Sequence, residues 1–268
     1  MGPTILFRKD INSEAEFKIA QQYFPVVDHR AACPPSTLII PRYSALPYYR
    51  ELEKDVQWHG GSLINDWRQH RWIANFDYYS ELQDFTPETW DDYTFPQAPE
   101  GQFIVKGRTN SRKFEWNKLM FAENKRQAIH IGAELSKSHF IGPQGLIYRR
   151  YVPLKTFETG LNGLPFTNEW RFFFYGQALL SYGYYWSSAT EETYAQAKMS
   201  RDGFEMAHQI AEICKDYVPF FVLDMAETQD GDWILIEVND GQMSGLSEND
   251  PHLLYSNLKR QFDVANTR

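Results

Sequence analysis

The hydrophobic pattern changes period several times along the chain, and each change predicts an element. TILF at residues 4 to 7 reads as a short strand, and NSEAEFKIAQQYF, opened by Asn12 or Ser13 as a cap, reads as a helix. TLIIPRYS, residues 37 to 44, predicts a strand interrupted by Pro41, and residues 47 to 55 are helical in composition. GGSLIND then gives a turn, a short strand and a helix start at Asn65 or Asp66, leading into WRQHRWIANF. Strands alternating with helices argue for a small α/β unit over roughly the first 90 residues.

The pattern lapses in TPETWDDYTFPQAPEG, residues 86 to 101, where prolines and acids gather without periodicity and a linker is expected. QFIVKG resumes as a strand, NKLMFAENKRQAIHIGAELS has the length and helix-former content of one long helix, and GLIYRRYVPL is a strand ended by Pro153. EWRFFFYGQALLSYGYYW predicts two strands joined near Gly176, and SRDGFEMAHQIAEICKDY an amphipathic helix. FFVLDMAE and WILIEVND, separated by TQDGD, predict an antiparallel hairpin.

Composition narrows the class without naming a function. The 268 residues are 43% hydrophobic and 23% charged, a globular balance for one large or two smaller domains. A net charge of -8 disfavours nonspecific attraction to nucleic acid or anionic membranes. Cys33 and Cys214 stand far apart and form no CxxC pair, and neither the N-terminal segment nor any other window has the apolar length to span a bilayer. A soluble, cytoplasmic protein is expected.

Candidate chemistry concentrates in three places. In WILIEVND, alternation points Glu237 and Asn239 one way and Ile236 and Val238 the other. Alone, the pair fits either a solvated strand face or half of an oxygen site for Mg²⁺; pairing with Asp224 across TQDGD brings a third oxygen donor and favours the metal. Lys106 ends an apolar strand and precedes a loop with Arg108, Arg112 and Lys113, which suits phosphate, although one glycine is few for a phosphate cradle and an exposed strand-end lysine is the plain alternative. Third, alternation sets Arg149 and Tyr151 on one face and Arg150 and Val152 on the other, and puts Glu169 beside Arg171, where an ion pair and a phosphate contact are both open. The seven histidines lack metal or triad spacing.

The order of these pieces resembles the ATP-grasp superfamily. The paired arginines, EWRFFF and IEVNDGQMSG are similar to a phage and bacterial clade named for two arginines and a lysine. The resemblance implies an α+β ATP-grasp fold of two lobes gripping nucleotide, residues 96–153 and 154–268, preceded by a small α/β domain at 1–95. It implies ATP and Mg²⁺ as cofactors. Lys106 would contact nucleotide phosphate, with Arg108 to Lys113 as the phosphate lid; Arg150, Tyr151 and Val152 would lie at the adenine-reading hinge, where many ATP-grasp enzymes carry an acid instead. Arg171 would steady the transferring phosphate, Glu169 would sit beside the nucleotide, and Asp224, Glu237 and Asn239 would hold the metal. Such a site implies a carboxylate-amine ligase working through an acylphosphate, with a peptide, protein or small amino compound as substrate. An ATP-binding assembly chaperone of the same fold and an ATP-dependent kinase are the alternatives. Ser244, in the small-residue loop beyond the metal residues, is a candidate substrate contact.

Overall fold

The computed structural model describes residues 2–8 and 13–265. Its first unit is a parallel sheet of four short strands, β1 (Thr4–Phe7), β2 (Val26–Val27), β3 (Leu38–Arg42) and β4 (Ser62–Leu63), in the order β2-β1-β3-β4. Helices α1 (Glu14–Tyr23), α2 (Tyr49–Trp58) and α3 (Trp67–Ala74) connect and cover it, followed by the short α4 (Tyr79–Leu82). Burial on both sides explains the continuous apolar runs of β1 and β3. Pro41 is tolerated because Ile39 makes the last bond to the β4 side, so the N–H missing two residues later would have faced an open edge. Asn12 lies outside the described residues; Ser13 stands at the α1 N-cap without a side-chain cap bond. Asp66 caps α3 in a capping box with Gln69. Asn65 is instead wholly buried, and its amide bonds both the N–H and the carbonyl of Phe220.

The segment expected as a linker is the edge of the second sheet. Its strand β5 (Thr89–Asp91) pairs with β8 (Leu146–Arg150), and Phe95 stacks on Tyr148 with ring centroids 4.0 Å apart. Between them come β6 (Phe103–Gly107), α5 (Trp116–Leu119), β7 (Phe121–Ala122) and α6 (Lys125–Leu135), giving an antiparallel sheet in the order β5-β8-β6-β7. The single long helix expected over 117–136 is therefore broken. Phe121 and Ala122 pair with the edge of β6, and Asn124 starts a new helix by accepting from the Gln127 N–H at 3.0 Å. Helix α6 approaches the sheet so closely that a Cβ on Gly132 would stand 2.2 Å from the Tyr148 hydroxyl.

The third unit opens with the hairpin β9 (Thr156–Thr159) and β10 (Pro165–Thr167), then β11 (Glu169–Tyr175) and β12 (Ala178–Tyr184), turning at Gly176 as expected. Helices α7 (Glu191–Gln196) and α8 (Arg201–Cys214) lead to β13 (Phe220–Glu227) and β14 (Trp233–Asp240), the expected hairpin, and α9 (Pro251–Ala265) follows. The sheet order is β12-β11-β13-β14, antiparallel throughout. Alternation sorts its faces. Phe172, Phe174, Phe221 and Leu223 pack with Ala207, Ile210 and Cys214 of α8, whereas Phe173, Phe220 and Val222 meet Leu254 and Leu258 of α9 and Ile5, Phe7 and Ile40 of the first unit. The first and third units thus share one core. No helix among the described residues is long and apolar enough to cross a membrane.

Candidate functional site: an interlobe cleft

Between the second and third units lies a cavity with Ile104, Lys106, Tyr151, Leu164, Trp186 and Glu237 among its walls. Register explains the second unit's contribution. Ile104 lies opposite Arg149 and Lys106 opposite Ile147, so these four share the face turned away from α6. Lys106 is buried and its Nζ is paired with Glu237 Oε1. Arg149 is buried too, donating to the Ile236 carbonyl and to the Thr86 hydroxyl, which in turn donates to the Leu235 carbonyl at 2.8 Å.

A bulge shapes the other wall. Asp224 pairs with Glu237, but Met225 pairs with Leu235, leaving Ile236 as the extra residue. Both Ile236 and Glu237 consequently line the cavity, a correction to the strict alternation expected for this strand. Burial pushes the Glu237 carboxyl up, but Lys106, Arg149 and Arg171 together bring it below the usual glutamate range.

Arg171 and Asp224 are direct cross-strand neighbours on β11 and β13. The guanidinium chelates the carboxylate, Nε to Oδ1 at 2.8 Å and Nη2 to Oδ2 at 2.8 Å, and its Nη1 donates to the Gly245 carbonyl at 2.9 Å. Asn239 Nδ2 donates to Asp224 Oδ2 at 2.9 Å. Asp224 is wholly buried, and desolvation raises its pKa against the pull of Arg171. The Tyr185 ring packs under both Arg171, 4.9 Å from the guanidinium carbon, and Lys113, 4.6 Å from Nζ. Lys113 also donates to the Tyr185 hydroxyl at 2.9 Å; desolvation lowers its pKa. The carboxyl of Glu169, a residue at 6% exposure, accepts only a 3.3 Å bond from the Thr167 hydroxyl among the described residues. Burial, reinforced by Asp224, pushes its pKa up to about 8.

Of the residues singled out in the sequence, Lys106, Lys113, Arg150, Tyr151, Val152, Glu169 and Glu237 border the cavity, and Arg171, Asp224 and Asn239 adjoin it through the contacts above. Arg108 does not join them. Its N–H donates to the Gly145 carbonyl, and its side chain borders a separate hollow with Asn75, Thr89 and Ile147. Arg150 borders the cavity, but its guanidinium lies over Phe103 and Trp90 and donates to the Glu100 carbonyl at 3.2 Å. Arg149, which the family resemblance gave no role, also borders the cavity and adds its charge to that of Lys106 in holding Glu237 ionised; alternation with Tyr151 was its one signal. Tyr185 and Thr86 were also missed, for want of any local pattern.

A family model matches residues 94–258, more than half of the chain; it describes an ATP-grasp domain, family 3 of the clade named for two arginines and a lysine. The chain belongs to the ATP-grasp superfamily. Comparison with curated proteins gives no match. Among solved structures, the D-cycloserine synthetase DcsG superposes with a TM-score of 0.59 at 11% identity, covering 97% of this chain and 100% of that one. D-alanine–D-alanine ligase from Bacillus anthracis complexed with ATP gives 0.60 at 8% identity, covering 98% and 97%. The ATP-grasp ligase PsnB complexed with a minimal precursor gives 0.56 at 10% identity, covering 100% of both chains. At such identities these likenesses speak for the ATP-grasp fold.

The donor set of this ATP-grasp site fits Mg²⁺. No group of three or more His, Cys, Asp or Glu able to hold a metal occurs among the described residues. Two carboxylates and one amide oxygen, with water and phosphate completing the shell, are nevertheless what Mg²⁺ takes. Asn239 directs its Nδ2 to Asp224, and its Oδ1 accepts from no described residue.

Proposed function

We propose that this protein is an ATP- and Mg²⁺-dependent ligase that activates a carboxylate as an acylphosphate and joins it to an amine. The observation that carries this reading is a pair of buried cation–carboxylate couples, Lys106 with Glu237 and Arg171 with Asp224, their carboxylates on neighbouring strands beside the interlobe cavity. Structural relatives named as ligases and a synthetase support it. Free, buried Cys33 and Cys214 agree with a reducing, cytoplasmic setting.

The hinge from Arg150 to Val152, with apolar walls such as Ile104 and Met120, suits adenine. Glu169, largely neutral below about pH 8, both donates and accepts hydrogen bonds and so suits ribose hydroxyls. Lys106 and Arg149 bring positive charge to the polyphosphate end, and Lys113 approaches from the lid. Asp224, Glu237 and Asn239 would hold Mg²⁺, which when bound supplies Lewis-acid charge at the phosphates. An oxygen of the substrate carboxylate attacks the γ-phosphorus, the bond to the β,γ-bridging oxygen breaks, and ADP leaves. The amine nitrogen then adds to the acyl carbon, loses a proton and expels inorganic phosphate. Arg171, held over the Tyr185 ring, neutralises charge on the transferring phosphoryl group.

Calorimetric titration with a non-hydrolysable ATP analogue should show binding that depends on Mg²⁺, and Glu237→Ala should remove the Mg²⁺-dependent part. Turnover should yield an amide, ADP and phosphate. A stable phosphoester product would instead mark a kinase; binding without turnover beside a stoichiometric protein partner would mark an assembly factor. Absence of nucleotide binding overturns all three.

A further inference from the structure

Two aromatic residues at the end of β12 hold a cation that comes from the second unit. Tyr185 follows the last residue of β12, and its N–H donates to the Glu169 carbonyl at 2.9 Å, so the β11–β12 ladder fixes its place. Trp186, 8% exposed, is fixed in turn by its Nε1, which donates to the Thr167 hydroxyl at 3.2 Å, and the two rings meet edge to face with centroids 5.0 Å apart. Lys113, in the segment between β6 and α5, lies against both. Its Nζ is 4.6 Å from the Tyr185 ring centre and 5.1 Å from that of Trp186, and it donates to the Tyr185 hydroxyl at 2.9 Å. The next residue is fastened as well: the Phe114 carbonyl accepts from Asn162 Nδ2 at 2.7 Å, at the tip of the β9–β10 hairpin. There Gly163 approaches α5 so closely that a Cβ would stand 2.2 Å from Asn117 Nδ2. The segment after β6 is therefore docked on the third unit at successive residues.

The charge around Lys113 decides what this docking serves. Among the described residues no carboxylate forms an ion pair with it. Glu115, two residues on, is taken up by Arg112 at 3.4 Å. The acids whose charge reaches Lys113 are Glu169, Asp224 and Glu237, while Arg171 repels it. Asp224 is chelated by Arg171, and Glu237 is paired with Lys106. Glu169, the strongest of the three in its effect, is largely neutral below about pH 8. Lys113 thus borders the cavity as a desolvated ammonium group that uses one of its three donors. Aromatic faces replace part of the lost hydration, and the charge still calls for an anion.

Resting on the ligase reading above, we propose that Tyr185 is a positioning residue: it holds the Lys113 ammonium group at the cavity wall, where Lys113 pairs with the terminal phosphate of a nucleoside triphosphate and makes the cleft prefer triphosphate to diphosphate. Trp186 supplies the second wall of the cradle. The terminal phosphate completes a charge balance that the protein leaves open, so docking of the segment after β6 and binding of triphosphate support one another.

Tyr185→Phe tests this with little disturbance. It keeps the ring beside Lys113 and Arg171 and removes only the hydroxyl, whose one bond among the described residues comes from Lys113. The full chain is titrated calorimetrically, with Mg²⁺ present, with a non-hydrolysable ATP analogue and with ADP. The ratio of the two affinities is the readout, because a general loosening of the cleft weakens both ligands alike. Lys113→Met should lower the ratio about tenfold and Tyr185→Phe about fivefold. The double variant should go no lower than Lys113→Met alone, since the hydroxyl acts through the lysine. No preference for the ATP analogue in the unsubstituted chain, an unchanged ratio in Tyr185→Phe, equal loss of both ligands, or additive losses in the double variant would overturn the proposal. If the unsubstituted chain binds the analogue and its preference is indifferent to Tyr185, the positioning role falls and the ligase reading stands; if it binds neither nucleotide, both fall.

Discussion

Replacing Arg171 by methionine removes the chelating partner of a carboxylate with no exposure to solvent. Asp224 keeps only the 2.9 Å bond from Asn239 once the two 2.8 Å bonds from the guanidinium are gone. Stranding one partner of a buried pair costs roughly 3–5 kcal/mol. The carboxylate has an escape, because it can fold protonated. For an aspartate with an ordinary pKa of about 3.9, protonation at pH 7 costs about 4 kcal/mol, which caps the penalty there. The sign follows. Burial already holds Asp224 above its ordinary value, and removal of Arg171 raises it further, so the folded variant binds a proton that the unfolded chain releases. Destabilisation relative to the native sequence should thus grow as pH rises from the already raised native folded value toward the variant's higher one, by up to about 1.4 kcal/mol per pH unit. Urea unfolding followed by circular dichroism at pH 5, 6 and 7 measures it. Asp224→Asn added to Arg171→Met should recover most of the loss at pH 7 and flatten the dependence. A penalty below about 1 kcal/mol, or one that does not vary with pH, would refute a role for this pair as a buried charge couple.

Two further consequences concern the cleft and its support. If neutral Glu169 serves the ribose, nucleotide affinity should fall as pH rises through about 8 and its carboxylate forms; Glu169→Gln, unable to ionise, should bind with little change across that range in calorimetry. Asn65→Ala should cost roughly 2–4 kcal/mol in urea unfolding, since it leaves the buried N–H and carbonyl of Phe220 and the Asp240 carboxylate each short of a partner. Because Asp240 directly follows Asn239 and also binds His70, that substitution should weaken Mg²⁺-dependent nucleotide binding as well, and intact binding would show the network to be purely structural.

Local pattern by itself determined a large part of this protein. The parallel opening unit, the turn at Gly176 and the hairpin carrying Asp224, Glu237 and Asn239 follow from alternation, turn residues and apolar runs, which act over a few neighbouring residues. The motif order was enough to reach the ATP-grasp family. Tertiary structure decided what depends on distant partners. Phe121 and Ala122 carry helix-compatible neighbours yet form β7, because the exposed edge of β6 offers them hydrogen bonds. The proline-bearing stretch before β6 becomes β5 because β8 has a free edge, and Phe95 is ordered because Tyr148 offers a face. The register of β8 against β6 puts the Arg149 side chain opposite Ile104 on the cleft side and that of Arg150 opposite Phe103 on the other, although both residues border the cavity. The bulge at Ile236 and the withdrawal of Arg108 to Gly145 have the same origin: a strand's alternation states which residues share a face, and only its partners state which face meets the ligand.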